Sequence, residues 1–196
     1  MAATGEYDAI VLAGGRSSRM GEVDKVGIVV SGRPLLAHAC AAVEQARTLV
    51  VVGPAGLVGT PDRAIVTRED PPFAGPAAAL GAGLAALDDP AALVVVLAAD
   101  VPRAADAVQP LLMAAESCRD GVIARSSDGH RQPLLAVYRH AALVAALAAH
   151  APLTDLGVNR VLRDLDLREL DLPDAVLDDI DTPADLQRLT EETTHG

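Results

Sequence analysis

Residues 93–102 read L-V-V-V-L-A-A-D-V-P, and this run decides the fold class. Seven consecutive apolar residues without alternation are typical of a strand that is buried on both faces of a sheet. The run ends at Asp100, a carboxylate that is costly beside a buried strand unless it caps a helix or binds a cation. A strand of this kind needs helices on both faces, so the flanking segments are expected to alternate between helix and strand.

The flanking segments have that alternation. Further strands are predicted at Tyr7–Ala13, Thr48–Val52, Ala64–Thr67, Gly121–Arg125, Leu134–Tyr138 and, shortest of all, Ala175–Leu177. Helices are predicted at 35–46, Gly75–Leu87, Ala104–Ser117, Ala141–His150 and Pro183–Thr190. The pattern indicates an α/β fold with three layers (αβα) and a mostly parallel, Rossmann-like central sheet. We expect a single domain over residues 1–196, with an ordered core at 6–190 and a flexible tail at 191–196.

Composition narrows the classes of function. The chain has 196 residues, a net charge of −11 and three aromatic residues, which argues against nucleic-acid binding through stacked bases or a basic face. The longest apolar run is too short to span a bilayer, and the N-terminus lacks the pattern of a signal peptide. These features predict a cytoplasmic protein with no nucleic-acid or membrane partner. A small anionic ligand held by one basic loop stays compatible with the charge.

The first predicted strand runs into such a loop, because residues 11–25 read V-L-A-G-G-R-S-S-R-M-G-E-V-D-K. Gly14 and Gly15 allow successive backbone N–H groups to turn inward and to form a nest for an anion. Arg19 and Lys25 add one forked and one compact positive charge nearby. A glycine turn that carries surface arginines is the alternative that spacing alone leaves open.

Two common nucleotide motifs do not explain this loop. A Walker A loop needs Gly-Lys at its end, whereas Gly21 is followed by Glu22. A sequence that matches the dinucleotide fingerprint occurs instead at 81–86, but it lies inside a predicted helix and not between a strand and a helix. We therefore interpret the glycines at 81–86 as positions of close helix packing.

The loop does match another signature. L-A-G-G-R-S-S-R-M-G-x-x-D-K resembles the signature loop of the molybdenum cofactor guanylyltransferases, within the glycosyltransferase-A-like nucleotidyltransferases. Four later segments resemble the pattern of that family in the same order. They are R-E-D-P-P-F-A-G-P (68–76), L-A-A-D-V-P (97–102), R-Q-P-L-L-A-V-Y-R (131–139) and D-I-D-T-P-A-D-L (179–186).

The resemblance implies an enzyme that transfers GMP from GTP to a molybdopterin-type cofactor and releases pyrophosphate, with Mg²⁺ as cofactor. Molybdoenzymes or other cofactor-biosynthesis proteins fit as partners. Arg19, Lys25 and Asp100 are then the expected catalytic residues, since phosphoryl transfer depends on charge neutralisation and positioning. The nucleotide-binding positions that the resemblance implies are Leu12, Ala13, Gly14, Gly15, Lys25, Asp70 and Asp100.

Further roles follow from the resemblance at single positions. Asp100 is the expected metal ligand and Asp181 a second one, although each also fits a helix cap. Asp70 is expected near the nucleoside, with a turn-forming aspartate as the alternative. Arg131 and Gln132 are expected on the side of the phosphate acceptor.

The chain also departs from the family pattern. Aspartates occupy 179 and 181, where the family commonly has asparagines, and related cytidylyl- and sugar-nucleotidyltransferases end similarly. Gly53 stands where the family often has a polar residue that touches the nucleoside, so base recognition there depends on the main chain. A cytidylyl- or sugar-phosphate nucleotidyltransferase, or a non-catalytic nucleotide-binding homologue, therefore remains an alternative.

Overall fold

The computed structural model describes residues 5–14 and 27–177 of the chain. Its strands are β1 (Tyr7–Leu12), β2 (Val29–Val30), β3 (Arg33–Pro34), β4 (Leu49–Val52), β5 (Ile65–Thr67), β6 (Leu93–Ala98), β7 (Gly121–Arg125), β8 (Arg131–Arg139) and β9 (Leu167–Asp171). Its helices are α1 (Leu35–Ala42), α2 (Pro76–Ala85), α3 (Ala104–Ala115), α4 (His140–Ala149), α5 (Val158–Val161) and α6 (Asp174–Leu177), with a 3-10 turn at Leu162–Asp164. The predicted helix Pro183–Thr190 and the predicted tail 191–196 lie outside these residues.

Seven of the described strands form one sheet in the order β5-β4-β1-β6-β8-β7-β9, and β2 and β3 form a separate hairpin. β1 runs parallel to both of its neighbours, β4 and β6. β8 is antiparallel to β6 and to β7, while β9 is parallel to β7. The reversal at β8 arises because only five residues connect it to β7, too few for a parallel crossover. The predicted mostly parallel sheet is confirmed.

Apolar side chains cover both faces of the sheet. Along β1, Ala9 and Val11 pack in the layer that contains α1 and α3, whereas Ile10 and Leu12 pack in the layer of α2 and α4. Successive residues of a strand point to opposite faces, so an unbroken apolar strand can serve two helix layers at once. The predicted three-layer arrangement follows from this division and is confirmed.

Gly81 and Gly83, the glycines at 81–86, both lie within α2, where the sequence predicted close helix packing. A Cβ atom on Gly83 would lie 2.7 Å from Cγ2 of Ile10 and 3.0 Å from Cγ2 of Val52. Since no real Cβ contact is that short, glycine at 83 lets α2 approach the sheet. The packing interpretation is confirmed, and these glycines do not form a nucleotide fingerprint.

Near the C-terminal end of the described chain the structure differs from the prediction. Ala175–Leu177 was predicted as a strand but belongs to α6, where the N–H of Val176 donates to the carbonyl of Pro173. Val176 and Leu177 are buried in the layer of α3, so tertiary packing decides their conformation. β9 was not predicted because its sequence, L-R-E-L-D, carries charges; an edge strand tolerates them, since it pairs only with β7.

No helix in the described part of the chain is both long enough and apolar enough to cross a membrane.

Asp8 lies at the opposite edge of the sheet from the carboxyl ends of the parallel strands, with 1% of its surface exposed. Its carboxylate accepts hydrogen bonds from the N–H groups of Thr48 at 3.1 Å and Ala91 at 2.6 Å, and from the guanidinium of Arg47 at 3.3 Å. Burial alone would raise the pKa of Asp8, but these hydrogen bonds and the charge of Arg47 hold it below its ordinary value of 3.8.

Replacing Asp8 with alanine is expected to lower the free energy of unfolding at pH 7 by about 3 kcal/mol, because Arg47 and two N–H groups lose their acceptor. A carboxylate whose pKa is lowered by folding stabilises the protein above its unfolded pKa. That contribution is lost as the pH falls through the folded pKa. The difference in the free energy of unfolding between the wild type and Asp8→Ala should therefore shrink below about pH 4. Urea unfolding across pH 2–7 measures it.

Asp89→Ala is the matched control, since that carboxylate also contacts Arg47 but is 98% exposed. We expect it to change stability little. An equal loss in both variants, or a difference that stays constant down to pH 2, would contradict the assignment of a buried, ionised Asp8.

Candidate functional site

The carboxyl ends of β1, β4, β5 and β6 lie at one edge of the sheet, because these four strands are parallel. After β1 the chain passes to β4 and β5 on one side and then returns to β6 on the other side. In open α/β sheets, ligands bind in the crevice that forms where the strand order reverses in this way. The crevice at the end of β1 is therefore the candidate site.

The ladder between β1 and β4 ends at this crevice. The N–H of Ala13 donates to the carbonyl of Val52 at 2.8 Å. In the register of this ladder, the N–H of residue 54 would donate the next hydrogen bond to the carbonyl of Ala13. Residue 54 is a proline and has no N–H, so it cannot make this bond. Gly14 follows with an exposed backbone. At the ends of these strands the Ala13 carbonyl thus receives no bond from residue 54, and the backbone of Gly14 is exposed beside it.

Gly53 packs tightly beside this turn. A Cβ atom there would lie 3.0 Å from Cδ1 of Leu57 and 3.1 Å from the carbonyl oxygen of Ala13. The N–H of Gly53 donates to the carbonyl of Thr67 at 2.9 Å. The main-chain recognition expected at this position would therefore use the carbonyl oxygen of Gly53, which can accept from an amino or imino group of a base.

Asp100 follows β6 at the same edge and is partly buried. The preceding residue, Ala99, donates its N–H to the carbonyl of Leu12 at 3.0 Å, which ties this turn to the end of β1. The N-cap residue of α3 is Arg103, whose side chain makes no capping hydrogen bond. Asp100 lies three positions before this N-cap residue.

A cavity of about 230 Å³ opens beside Asp100. Its lining includes Asp100 and Gln132, two residues that the sequence predicted separately. The other described residues that line it are Ala98, Val101, Pro133, Leu134, Leu135 and Leu177. Asp100 and Gln132 are thus the polar residues among the described ones that line the cavity.

Arg131 does not line the cavity. Its Nε lies 3.5 Å from Oε1 of Glu169 on β9, and the same carboxylate accepts a hydrogen bond from Arg125 at 2.7 Å. Consecutive strand residues point to opposite sides, so Gln132 and Arg131 cannot both face one pocket. The structure thus separates the two residues that were predicted on the acceptor side.

A break in the pairing of β8 shapes the cavity wall. β7 pairs Ile123 with Ala136 and then Ala124 with Gln132, so residues 133–135 oppose no residue of β7. These three residues line the cavity. Sequence reasoning missed this bulge, although Pro133 was a signal for it, because proline inside a central strand is found at bulges.

Asp70 lies three residues beyond β5, in the exposed loop that leads to α2. In this loop the carboxylate of Glu69 accepts the N–H of Phe73 at 2.9 Å. The guanidinium of Arg68 lies 4.8 Å from the centre of the Phe73 ring. The side chain that stabilises the turn is therefore that of Glu69, while Asp70 is exposed at the carboxyl edge of the sheet.

The other predicted site residues lie outside the described residues; they are Gly15, Arg19, Lys25 and Asp181. Within residues 5–14 and 27–177, no three side chains of the types His, Cys, Asp or Glu are grouped so that they could hold a metal. A divalent cation at Asp100 would need further oxygen ligands from a bound phosphate or from the remainder of the chain.

The sequence matches the model of the MobA-like NTP transferase domain over residues 9–170. A relative from Natronomonas pharaonis, named probable molybdenum cofactor guanylyltransferase, is 30% identical over 95% of this chain and 98% of its own.

Three solved structures have a similar fold. Molybdopterin-guanine dinucleotide biosynthesis protein A of Archaeoglobus fulgidus is 20% identical, covers 96% of this chain with 100% of its own, and has a TM-score of 0.73. 4-diphosphocytidyl-2C-methyl-D-erythritol synthase of Anaerococcus prevotii is 14% identical, covers 98% of this chain with 97% of its own, and has a TM-score of 0.74. The manganese complex of Rv0371c of Mycobacterium tuberculosis is 20% identical, covers 95% of this chain with 99% of its own, and has a TM-score of 0.71. At these identities the likeness shows the fold alone. The family model and the relative from Natronomonas show more: this chain belongs to the MobA-like NTP transferase family and is a nucleotidyltransferase.

Proposed function

We propose that this nucleotidyltransferase transfers GMP from GTP to a molybdopterin-type cofactor in a reaction that depends on Mg²⁺. An oxygen of the acceptor phosphate attacks the α-phosphorus of GTP, and a new phosphoanhydride bond forms. The bond between that phosphorus and the oxygen that bridges to the β-phosphate breaks, and pyrophosphate leaves with its electron pair. Both reactants are anionic, so the protein must supply positive charge and hold them in line.

The observation that carries this proposal is the position of Asp100. It follows β6 at the switch point of the sheet, beside the end of β1 and on the wall of a cavity. An anionic side chain at an anion-binding edge is unfavourable by itself, but it suits a cation that bridges protein and phosphate. The name of the Natronomonas relative supports GTP and molybdopterin as the two substrates.

On the nucleotide side, the backbone of Leu12, Ala13 and Gly14, continued by Gly15, holds GTP at the end of β1. Asp70, on the loop after β5, contacts the nucleoside. Arg19 and Lys25 neutralise the phosphates, Arg19 through its planar fork and Lys25 as a point charge. No side chain acts as a covalent nucleophile, because the acceptor phosphate itself attacks.

The donor set at the site fits Mg²⁺. This cation prefers oxygen ligands and takes one or two carboxylates together with the phosphates of a substrate. Asp100 supplies the first carboxylate, and Asp181 is the second in our proposal, since it follows the cavity residue Leu177 by only four positions. A cation held there would offset negative charge on the phosphates. The manganese complex of Rv0371c supports a divalent metal in this fold.

On the acceptor side, the lining of the cavity supports a planar ring system rather than a sugar. The hydroxyl groups of a sugar need many hydrogen-bond partners, and among the described residues that line the cavity only Asp100 and Gln132 are polar. The amide of Gln132 both donates and accepts, which matches the edge of a pterin. Arg131 would contribute to phosphate binding only by giving up its contact with Glu169.

The second candidate is the same reaction with CTP. The TM-score of this chain is 0.74 against the diphosphocytidyl synthase of Anaerococcus and 0.73 against the Archaeoglobus protein, so the fold favours neither base. The amino group of cytosine could donate a hydrogen bond to the carbonyl of Gly53 as readily as the amino group of guanine could.

A pyrophosphate-release assay with GTP, CTP, ATP and UTP, each with Mg²⁺ and molybdopterin, tests the proposal. We expect release with GTP at least about tenfold faster than with the other three, and none without molybdopterin. A preference for CTP would replace the first candidate with the second. If the protein bound a nucleotide but released no pyrophosphate with molybdopterin or with sugar phosphates, the proposed reaction would be wrong.

A further inference from the structure

Tyr138 lies on β8, is completely buried and donates its hydroxyl hydrogen to the carbonyl of Pro133 at 2.8 Å. The two residues are five positions apart, a separation that spans about 17 Å in a regular strand. The side chain of tyrosine cannot cover that distance. The contact therefore requires that the chain before Leu135, the last residue of β8 paired with β6, leaves the path of a regular strand.

The Pro133 carbonyl in the bulge and the Tyr138 hydroxyl each need a hydrogen-bond partner. Residue 133 opposes no residue of β7, so the sheet supplies no donor for the Pro133 carbonyl on that side. A buried tyrosine hydroxyl likewise needs a hydrogen-bond partner. One bond satisfies both groups. Burial also raises the pKa of Tyr138 above its ordinary value, so the hydroxyl is a neutral donor at pH 7.

The bulge matters for the site because its residues form one wall of the cavity. On its other side β8 still pairs with β6, where Leu135 lies opposite Leu97. Gln132 and the bulge are thereby held next to Asp100, the carboxylate that follows β6. A change in the path of residues 133–135 would move the amide of Gln132 relative to Asp100.

We propose that Tyr138 is a positioning residue for the acceptor: its hydroxyl fixes the bulge of β8 so that Gln132 faces the cavity beside Asp100. This inference rests on the proposed function of the cavity as the acceptor site. Tyr138 contacts neither substrate in this assignment. It acts through the backbone of Pro133.

Tyr138→Phe removes only the hydroxyl and tests the proposal by steady-state kinetics. We expect the KM for molybdopterin to rise about tenfold, the factor that corresponds to the net contribution of one hydrogen bond. The kcat and the KM for GTP should stay within about twofold of the wild type, because the end of β1 is unchanged. The Tm should fall by about 2–4 °C.

Leu147→Val is the matched control. Leu147 lies on α4, in the same apolar layer as Tyr138 but away from the cavity, and the substitution removes one methylene group. We expect a similar loss of Tm with no change in either KM. If Tyr138→Phe behaves as this control does, or if it changes both KM values and kcat together, the positioning role is wrong.

Two further measurements keep the proposal testable. If Tyr138→Phe does not fold, the wild-type chain can be labelled with 3-fluorotyrosine and titrated with molybdopterin. The ¹⁹F signal of Tyr138 should shift while that of Tyr7, which packs in the apolar layer on the other face of the sheet, should not. An unshifted Tyr138 signal overturns the proposal.

If the wild type transfers no nucleotide, the proposed function fails. Amide hydrogen exchange then tests the role of the hydroxyl by itself, because the amides of residues 132 and 134–136 should exchange faster in Tyr138→Phe. Unchanged exchange overturns that role.

Discussion

Asp100→Ala is expected to reduce the rate of pyrophosphate release by about 10³-fold or more, the range seen when a group that stabilises transition-state charge is removed. Asp100 follows β6 at the switch point and lines the cavity with Gln132, so it lies where donor and acceptor phosphates would meet. The substitution should leave the fold intact, since this side chain is only partly buried and is not the N-cap residue of α3. Pyrophosphate release under saturating GTP and molybdopterin measures the effect.

Two variants separate loss of the metal ligand from loss of charge. Asp100→Asn keeps the size of the side chain, and we expect it to raise the Mg²⁺ concentration needed for half-maximal rate. Asp106→Ala removes an exposed acid on α3 that pairs with Arg103, and its rate should equal that of the wild type. A rate within tenfold of the wild type in Asp100→Ala would exclude Asp100 as the metal ligand.

Lys25→Ala is expected to lower turnover to a similar extent, about 10³-fold. This prediction rests on the signature loop, in which we propose that Lys25 supplies a positive charge to the phosphates of the bound nucleotide. Its loss should weaken the transition state more than the ground state, because negative charge on the leaving pyrophosphate increases as the bond breaks. The kcat should therefore fall by a larger factor than the KM for GTP rises.

Lys25→Arg and Arg33→Ala are the controls for this loop. Arginine keeps the charge but not the compact shape of the ammonium, so Lys25→Arg should recover only part of the rate. Arg33 is an exposed cation of the β2–β3 hairpin, and removing it changes the net charge equally. Near-normal turnover in Lys25→Ala, or an equal loss in Arg33→Ala, would show that Lys25 has no specific role.

Most strands of the sheet could be predicted from local sequence. The apolar runs at β1, β4 and β6 serve two helix layers and are short, rich in β-branched residues and bounded by turn residues, which favours strands. Gly121–Arg125 was predicted with the bounds of β7. β9 and α6 could not be predicted in the same way. Their residues are polar or few, and their conformation depends on the neighbour against which they lie, β7 in one case and α3 in the other.

In the candidate site, too, some features follow from local sequence and others only from the tertiary structure. The sequence by itself determined the α/β class, the loop at the end of β1 and the carboxylate at the end of β6, because buried strands and glycine turns have strong local preferences. Only the tertiary structure decided that Asp100 and Gln132 share a cavity, that Arg131 pairs with Glu169, and that the Tyr138 hydroxyl reaches the Pro133 carbonyl. Those three facts depend on the antiparallel pairing of β8 and on its bulge, and non-local pairing of this kind is set by the whole packed sheet.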